Sequence, residues 1–185
     1  LRFNLPGWHN LSNAVTALGM AMAYGSPSGR LPKALFSYSG VNRRFTYRIK
    51  TEDFVLIDDY AHHPTEIAAV HQSVTEMYPG EKVLAVFQPH LFSRTRDFMD
   101  DFAMQLSKFD EVFLLDIYPA RELPIDGVNS NAILGKMTVS KKEVVTKESL
   151  SQKIMQASQK VVVMMGAGDI GLEILKVTKN LEVAS

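Results

Sequence analysis

The 185-residue sequence has no cysteine. Disulfides, thiolate nucleophiles and cysteine-ligated zinc are therefore excluded, and the composition suits a reducing compartment without requiring one. It has no excess charge of either sign, with 20 basic and 20 acidic residues. That balance gives no electrostatic ground for nucleic acid or an acidic membrane surface as a partner, and neither is expected. Long hydrophobic runs are missing as well: Val161 to Met165 is far short of a bilayer span. No basic region followed by an apolar stretch opens the chain, so no signal peptide is visible, and a first residue other than Met suggests a fragment or a processed chain. The G-x-x-x-x-G-K-[ST] phosphate loop and the G-x-S-x-G nucleophile elbow are both absent. A complete catalytic apparatus is not expected from this chain alone.

What is present is a 46% hydrophobic composition, enough for a real core, and an alternation of helix and strand patterns. Asn10 to Tyr24 places apolar residues at helical spacing, and Gly25-Ser26-Pro27-Ser28-Gly29 ends that helix. A short helix over Leu31 to Ser37 and a boundary at Ser37 to Gly40 follow. Strands are predicted at Phe45–Ile49, Phe54–Ile57, Lys82–Phe87, Glu111–Asp116, near Val144 and at Val161–Met165. Helices are predicted at Pro64–Met77, about Arg94–Leu106, Ser130–Lys136, Lys147–Gln159 and after Gly171. Such alternation implies an α/β fold, a Rossmann-like, mostly parallel sheet with helices on both faces.

Two polar clusters close two of the apolar strands. One is Asp58-Asp59-Tyr60-Ala61-His62-His63-Pro64-Thr65-Glu66; the other is Gln88-Pro89-His90-Leu91-Phe92-Ser93-Arg94-Thr95-Arg96-Asp97. Loops at the carboxyl ends of parallel strands gather around one crevice, so two acids, three histidines and two arginines converge there. Strand alternation sends Asp58 and Asp59 to opposite faces, one toward the crevice and one to cap the Pro64 helix or pair elsewhere. Arg94 and Arg96 fall at a predicted helix N-terminus, where the dipole disfavours cations. Either an anion binds there or Asp97, Asp100 and Asp101 pair with them. His62, His63 and Glu66 do not have H-E-x-x-H spacing, and no metal ligand is assigned. His71 is expected on a helix surface. Gly166-Ala167-Gly168-Asp169-Ile170-Gly171 fits G-x-G-x-x-G, but only 14 residues follow it, without a second strand and acid. It is read as a tight strand-to-helix turn that does not bind NAD(P)H.

These two clusters resemble the motifs of the Mur ligases, the ATP-dependent amino-acid ligases of peptidoglycan synthesis. Pro6-Gly7-Trp8-His9-Asn10-Leu11-Ser12-Asn13-Ala14, Gly40-Val41-Asn42-Arg43-Arg44-Phe45, Tyr118-Pro119-Ala120-Arg121-Glu122 and the Gly166 segment extend the likeness along the chain. The resemblance implies that residues 1–38 end the central ATPase domain and that residues 39–185 form a Rossmann-like C-terminal domain that closes on it. It implies a bacterial cytoplasmic enzyme in which ATP and Mg2+ activate a carboxylate as an acyl phosphate, with UDP-N-acetylmuramate and L-alanine as substrates of the whole protein. The P-loop lysine and the magnesium ligands lie outside this chain, which is expected to be inactive alone and to hold no cofactor tightly. By motif, Asn10 and Asn13, with His9 beside them, lie near the adenine. Arg44 reaches the ATP, Asp59 holds its ribose, and His62, His90 and Arg94 surround the incoming alanine. No residue here is assigned a catalytic role. The family commonly has arginine directly after the second-motif histidine. Here that residue is Leu91, so one cationic contact is either lost or replaced, with Arg96 a candidate substitute. The alternatives are the related ligase that recycles a murein tripeptide, disfavoured by Gln-Pro-His…Ser-Arg-Thr-Arg, and a non-catalytic Rossmann-like binding module.

Overall fold

A computed structural model describes residues 3, 7–38 and 40–184, apart from the side chains of His9 and Ala184. Pro6 and Ser39, both within segments singled out above, lie outside the described residues. Helices α1 (Trp8–Ala23) and α2 (Leu31–Ser37) come first, joined through a 3-10 turn at Ser28–Arg30. Six strands follow: β1 (Thr46–Lys50), β2 (Val55–Asp59), β3 (Val83–Phe87), β4 (Glu111–Leu114), β5 (Lys141–Val144) and β6 (Val161–Met165). They form one sheet in the order β1-β2-β6-β3-β4-β5. Among the described residues only the β1–β2 pair is antiparallel. The α/β class and the mostly parallel sheet are as expected.

Helices α3 (Pro64–Met77), α4 (Phe92–Asp97), α5 (Met99–Leu106), α6 (Ser130–Lys136), α7 (Lys147–Gln156) and α8 (Ile170–Ala184) alternate with the strands. Alternate residues of the central strands feed two cores. Ile57, Ala85, Phe87 and Val163 pack with α3, α5 and α6 through Ile67, Phe102 and Ile133. Leu56, Leu84, Val162 and Met164 pack on the other face with α7 and α8 through Leu150, Ile154 and Ile174. Every residue of β3 and β6 is buried, which is why both read as continuous apolar runs.

One predicted helix is divided. The stretch expected to run from about Arg94 to Leu106 is two helices, α4 and α5, broken at Phe98, whose φ of -118° and ψ of 20° leave the helical region. Arg94 and Arg96 are thus in the last turn of a six-residue helix. The expected conflict with a long helix dipole does not exist there, and Arg94 needs a different explanation.

Candidate functional site

The register of the central strands aligns their carboxyl ends. Met165 of β6 lies opposite both Asp59 of β2 and Phe87 of β3. The segments leaving β2, β3 and β6 are consequently tied together: the Gly166 N–H donates to the Asp59 carbonyl (3.2 Å), and the Gln88 N–H donates to that of Met165 (3.0 Å).

Asp58 and Asp59 have separate surroundings, as alternation requires. Asp58 is buried and accepts from two arginines, Arg43 Nε at 3.2 Å and Arg48 Nη2 at 2.6 Å. Asp59 accepts from the Phe45 N–H (2.7 Å) and the Ala61 N–H (2.8 Å). Burial nevertheless pushes its pKa up to about 6, against the pull of those two donors and of Arg44. Neither acid caps the Pro64 helix. His63 and Glu66 do so: His63 Nδ1 accepts from the Thr65 N–H, and Glu66 accepts from the N–H groups of His62 and His63.

A cavity of about 270 Å³ lies beside this strand end, lined by Asn13, Arg44, Asp59, Tyr60 and Glu66 among others. Asn13 comes from α1, Arg44 from the segment before β1, and Asp59 from the end of β2. Asn10 joins Asn13 and Arg44 in lining an adjoining, more apolar cavity of about 600 Å³ between α1, α2 and Val41. The His9 side chain lies outside the described residues. A nucleoside needs this combination of surfaces: an apolar slot with amide edges for a base, a carboxylate for ribose hydroxyls and a cation for phosphate. The residues present fit the nucleotide half of ATP. Among the described residues no group of three or more His, Asp or Glu side chains is placed to hold a metal ion.

Aromatic contacts connect the smaller cavity to the second cluster. The Tyr60 ring meets His62 edge-on at 5.3 Å, His62 meets His90 at 6.3 Å, and His90 stacks on Tyr118 at 5.6 Å. His62 Nδ1 lies 2.9 Å from the Tyr60 carbonyl oxygen. A carbonyl oxygen only accepts, so Nδ1 carries a hydrogen there. Burial lowers the His90 pKa, and the neighbouring Arg94 and His62 lower it further, so the imidazole is neutral at pH 7. His90 Nδ1 and Arg94 Nη1 are buried and have no hydrogen-bond partner among the described residues. A buried guanidinium N–H without an acceptor costs on the order of 1–3 kcal/mol, and a bound anion removes that cost.

The second-motif loop is strained and held from outside. Leu91 has φ of 73° and ψ of 134°. Its N–H donates to the Tyr118 carbonyl (2.9 Å), while its carbonyl accepts from the Thr95 N–H (3.1 Å) and Thr95 Oγ1 (2.8 Å). Glu122 supplies the missing cap of α4 by accepting from the Ser93 N–H (2.9 Å) and Ser93 Oγ (2.5 Å). Those donors hold the Glu122 carboxyl below its usual pKa. Nothing local in the sequence marks Tyr118 or Glu122 individually, because their partners are 27 to 29 positions away. Arg96, the candidate substitute, is exposed and pairs with Asp97 at 2.8 Å.

The Gly166 segment is the tight turn expected. A Cβ at Gly168 would lie 2.6 Å from Gln88 Oε1 and 2.7 Å from Tyr118 Cβ, and Gly166 has φ of 150°. Gln88 Oε1 accepts from the Ile170 N–H (2.9 Å), and its amide nitrogen donates to Asp169 (2.7 Å). Lys147 reaches the other Asp169 oxygen at 2.5 Å. His71 is less peripheral than expected, with Nε2 at 3.0 Å from the Lys108 carbonyl and its ring edge-on to Phe109.

A mostly parallel sheet whose strand ends meet a cavity lined by Asn13, Arg44 and Asp59, beside the buried and unpartnered His90 Nδ1 and Arg94 Nη1, defines a Rossmann-like α/β domain. Residues 43–168, more than half the chain, match the model of the Mur ligase, glutamate ligase domain. The chain therefore belongs to the Mur ligase family. Over 181 residues it is 64% identical to the UDP-N-acetylmuramate--L-alanine ligase of Christiangramia forsetii and 58% identical to that of Flavobacterium johnsoniae. In each case the match covers 98% of this chain and 40% of the relative. The solved UDP-N-acetylmuramate-alanine ligase of Thermotoga maritima superposes with a TM-score of 0.81 at 27% identity, over 100% of this chain and 40% of that one. The chain thus spans about two fifths of the length of these relatives.

Proposed function

We propose that this chain is the C-terminal part of an ATP-dependent ligase that joins L-alanine to UDP-N-acetylmuramate. In this reading residues 1–38 finish the central ATP-binding domain, and residues 39–185 are the C-terminal domain that closes over it. Supporting it are the family membership and the names of relatives alike over almost the whole chain. The observation that carries it is the pair of buried, unpartnered groups, His90 Nδ1 and Arg94 Nη1, beside His62. L-alanine offers a methyl, an amine and a carboxylate. The amine has to stay free to attack, so recognition falls on the carboxylate, which the planar guanidinium fork of Arg94 suits.

The chemistry assigns work to each group. A carboxylate oxygen of the muramoyl substrate attacks the γ-phosphorus of ATP; ADP leaves, and an acyl phosphate forms. The alanine nitrogen attacks the acyl carbon, phosphate departs with the C–O electron pair, and the nitrogen loses a proton as the amide forms. Mg2+, where bound in the whole enzyme, offsets the phosphate charge. Asp59 accepts the ribose hydroxyls, Arg44 faces the phosphates, and Asn10 and Asn13 flank the base, with His9 adjacent in sequence. His62 flanks the incoming alanine beside His90, and neutral His90 adds no competing charge. Closing the two domains keeps water from the acyl phosphate.

The test is made in the full-length enzyme. Arg94→Lys keeps the charge but not the fork, and it raises the L-alanine KM by roughly tenfold or more while ATP KM changes little, given about 1.5–3 kcal/mol for a hydrogen bond to a charged group. Arg96→Ala leaves both near wild type. An unchanged alanine KM in Arg94→Ala, with activity lost in Arg96→Ala, would assign the carboxylate to the other arginine.

A further inference from the structure

Arg44 sits between two residues with unfavourable backbone conformations. Arg43 has φ of 60° and Phe45 has φ of 48°, both left-handed and neither a glycine. Such geometry persists only when its surroundings over-determine it. Here three consecutive residues at the end of β2 do so. Asp58 accepts from Arg43 Nε at 3.2 Å. Asp59 accepts from the Phe45 N–H at 2.7 Å. The Tyr60 N–H donates to the Arg43 carbonyl at 2.7 Å. Arg43 adds two contacts of its own: Nη2 donates to the Gly166 carbonyl at 2.6 Å, and the guanidinium lies 5.2 Å from the Tyr60 ring centroid. Space for it comes from Gly171, where a Cβ would lie 2.7 Å from Arg43 Nη1.

Charge neutralisation of Asp58 does not account for this. Arg48, from β1, donates to the other Asp58 oxygen through both Nε and Nη2 and would pair with the carboxylate by itself. Only Arg43 spans from Asp58 to the turn after β6 while its own carbonyl is fixed by Tyr60. The consequence falls on Arg44, whose exposed side chain lines the same cavity as Asn13 and Asp59.

We infer that Arg43 is a positioning residue for nucleotide use: clamped between Asp58, Tyr60 and Gly166, it holds the strained turn that aims Arg44 into the cavity. The inference rests on the reading of that cavity as the ATP site. It differs from a purely structural role because it acts through Arg44.

A double-mutant cycle in the full-length ligase tests it, with ATP KM, L-alanine KM and melting temperature measured for Arg43→Gln, Arg44→Ala, the pair, and Arg48→Gln. Arg43→Gln is expected to raise ATP KM by about tenfold, as small misplacements of a binding group do, and to leave L-alanine KM within about twofold. In the Arg44→Ala background the same change adds less than about twofold, because sites acting as a unit are non-additive. Arg48→Gln lowers the melting temperature with ATP KM near wild type. Arg43→Lys recovers more of the melting temperature than of the ATP KM, and it serves as the probe if Arg43→Gln fails to fold. Unchanged ATP KM, fully additive effects, or equal ATP KM shifts in Arg43→Gln and Arg48→Gln would overturn the inference. A wild-type enzyme that consumes ATP with a different amino acid would overturn the alanine assignment alone, since the ATP cycle still reads out Arg43.

Discussion

Asp59 accepts two backbone N–H groups, which favour its ionised form, yet its pKa is pushed up to about 6 by burial. A carboxyl with a folded pKa above its unfolded value stabilises the fold most when both states are protonated. That stabilisation is complete below about pH 4 and is lost as pH rises through about 6. Asp59→Ala therefore destabilises this chain most at pH 4. The penalty shrinks toward pH 7 by up to about 3 kcal/mol, at about 1.4 kcal/mol per pKa unit. Urea unfolding of both proteins at several pH values reads this difference directly; a pH-independent penalty contradicts it. Using the difference matters because His71 and His90, both lowered by burial, oppose the trend: their contribution is present above about 6.5 and is lost as pH falls through their folded values. Asp58, one position earlier, is held by two arginines and turned from the cavity. Period-two alternation makes the separation of the two acids legible from sequence. Which acid takes which side depends on Arg43 and Arg48, whose approach only the folded chain defines.

At the scale of elements, the strands and the helices Pro64–Met77 and Ser130–Lys136 are readable because their patterns are local: continuous apolar runs, a proline at a first turn, and an Asn129 cap. The break between α4 and α5 is not local. Its first helix has no side-chain cap from its own residues and relies on Glu122, and its Leu91 is held by Tyr118 and Thr95. Glu122→Gln keeps the shape but replaces one acceptor oxygen with a donor. In the full-length enzyme it raises the L-alanine KM by up to about tenfold through Arg94, since a misplaced binding group loses its geometry. The ATP KM is unaffected, and steady-state kinetics with each substrate varied separately distinguishes the two. The Gly166 turn is similar. Its tightness is legible from G-x-G-x-x-G, but its contacts with Gln88 and Tyr118 are not. Gly168→Ala drives a methyl against both and is expected to destabilise by about 1–3 kcal/mol, as overpacking does. Denaturant unfolding checks it, and a neutral effect means the turn has room that the distances deny.

For the molecule as a whole, the question is what the described residues can hold unaided. The cavity beside Asp59 has one cation in its lining, Arg44, and that side chain is exposed. ATP brings several negative charges whose burial needs several donors or a metal. An exposed ion pair contributes only about 0–1 kcal/mol. The adjoining apolar slot between α1 and α2 adds apolar surface but no cation beyond the same Arg44. Under the proposed reading of the cavity as the ATP site, the sum is a surface for the nucleoside with few phosphate contacts. Calorimetry on this chain is therefore expected to show ATP binding no tighter than about millimolar, near 4 kcal/mol. Adenosine should bind within a few-fold of ATP, because the triphosphate adds little. Micromolar ATP affinity, or a large preference for ATP over adenosine, would mean that the chain carries its own phosphate site and that the nucleotide is not shared between two domains.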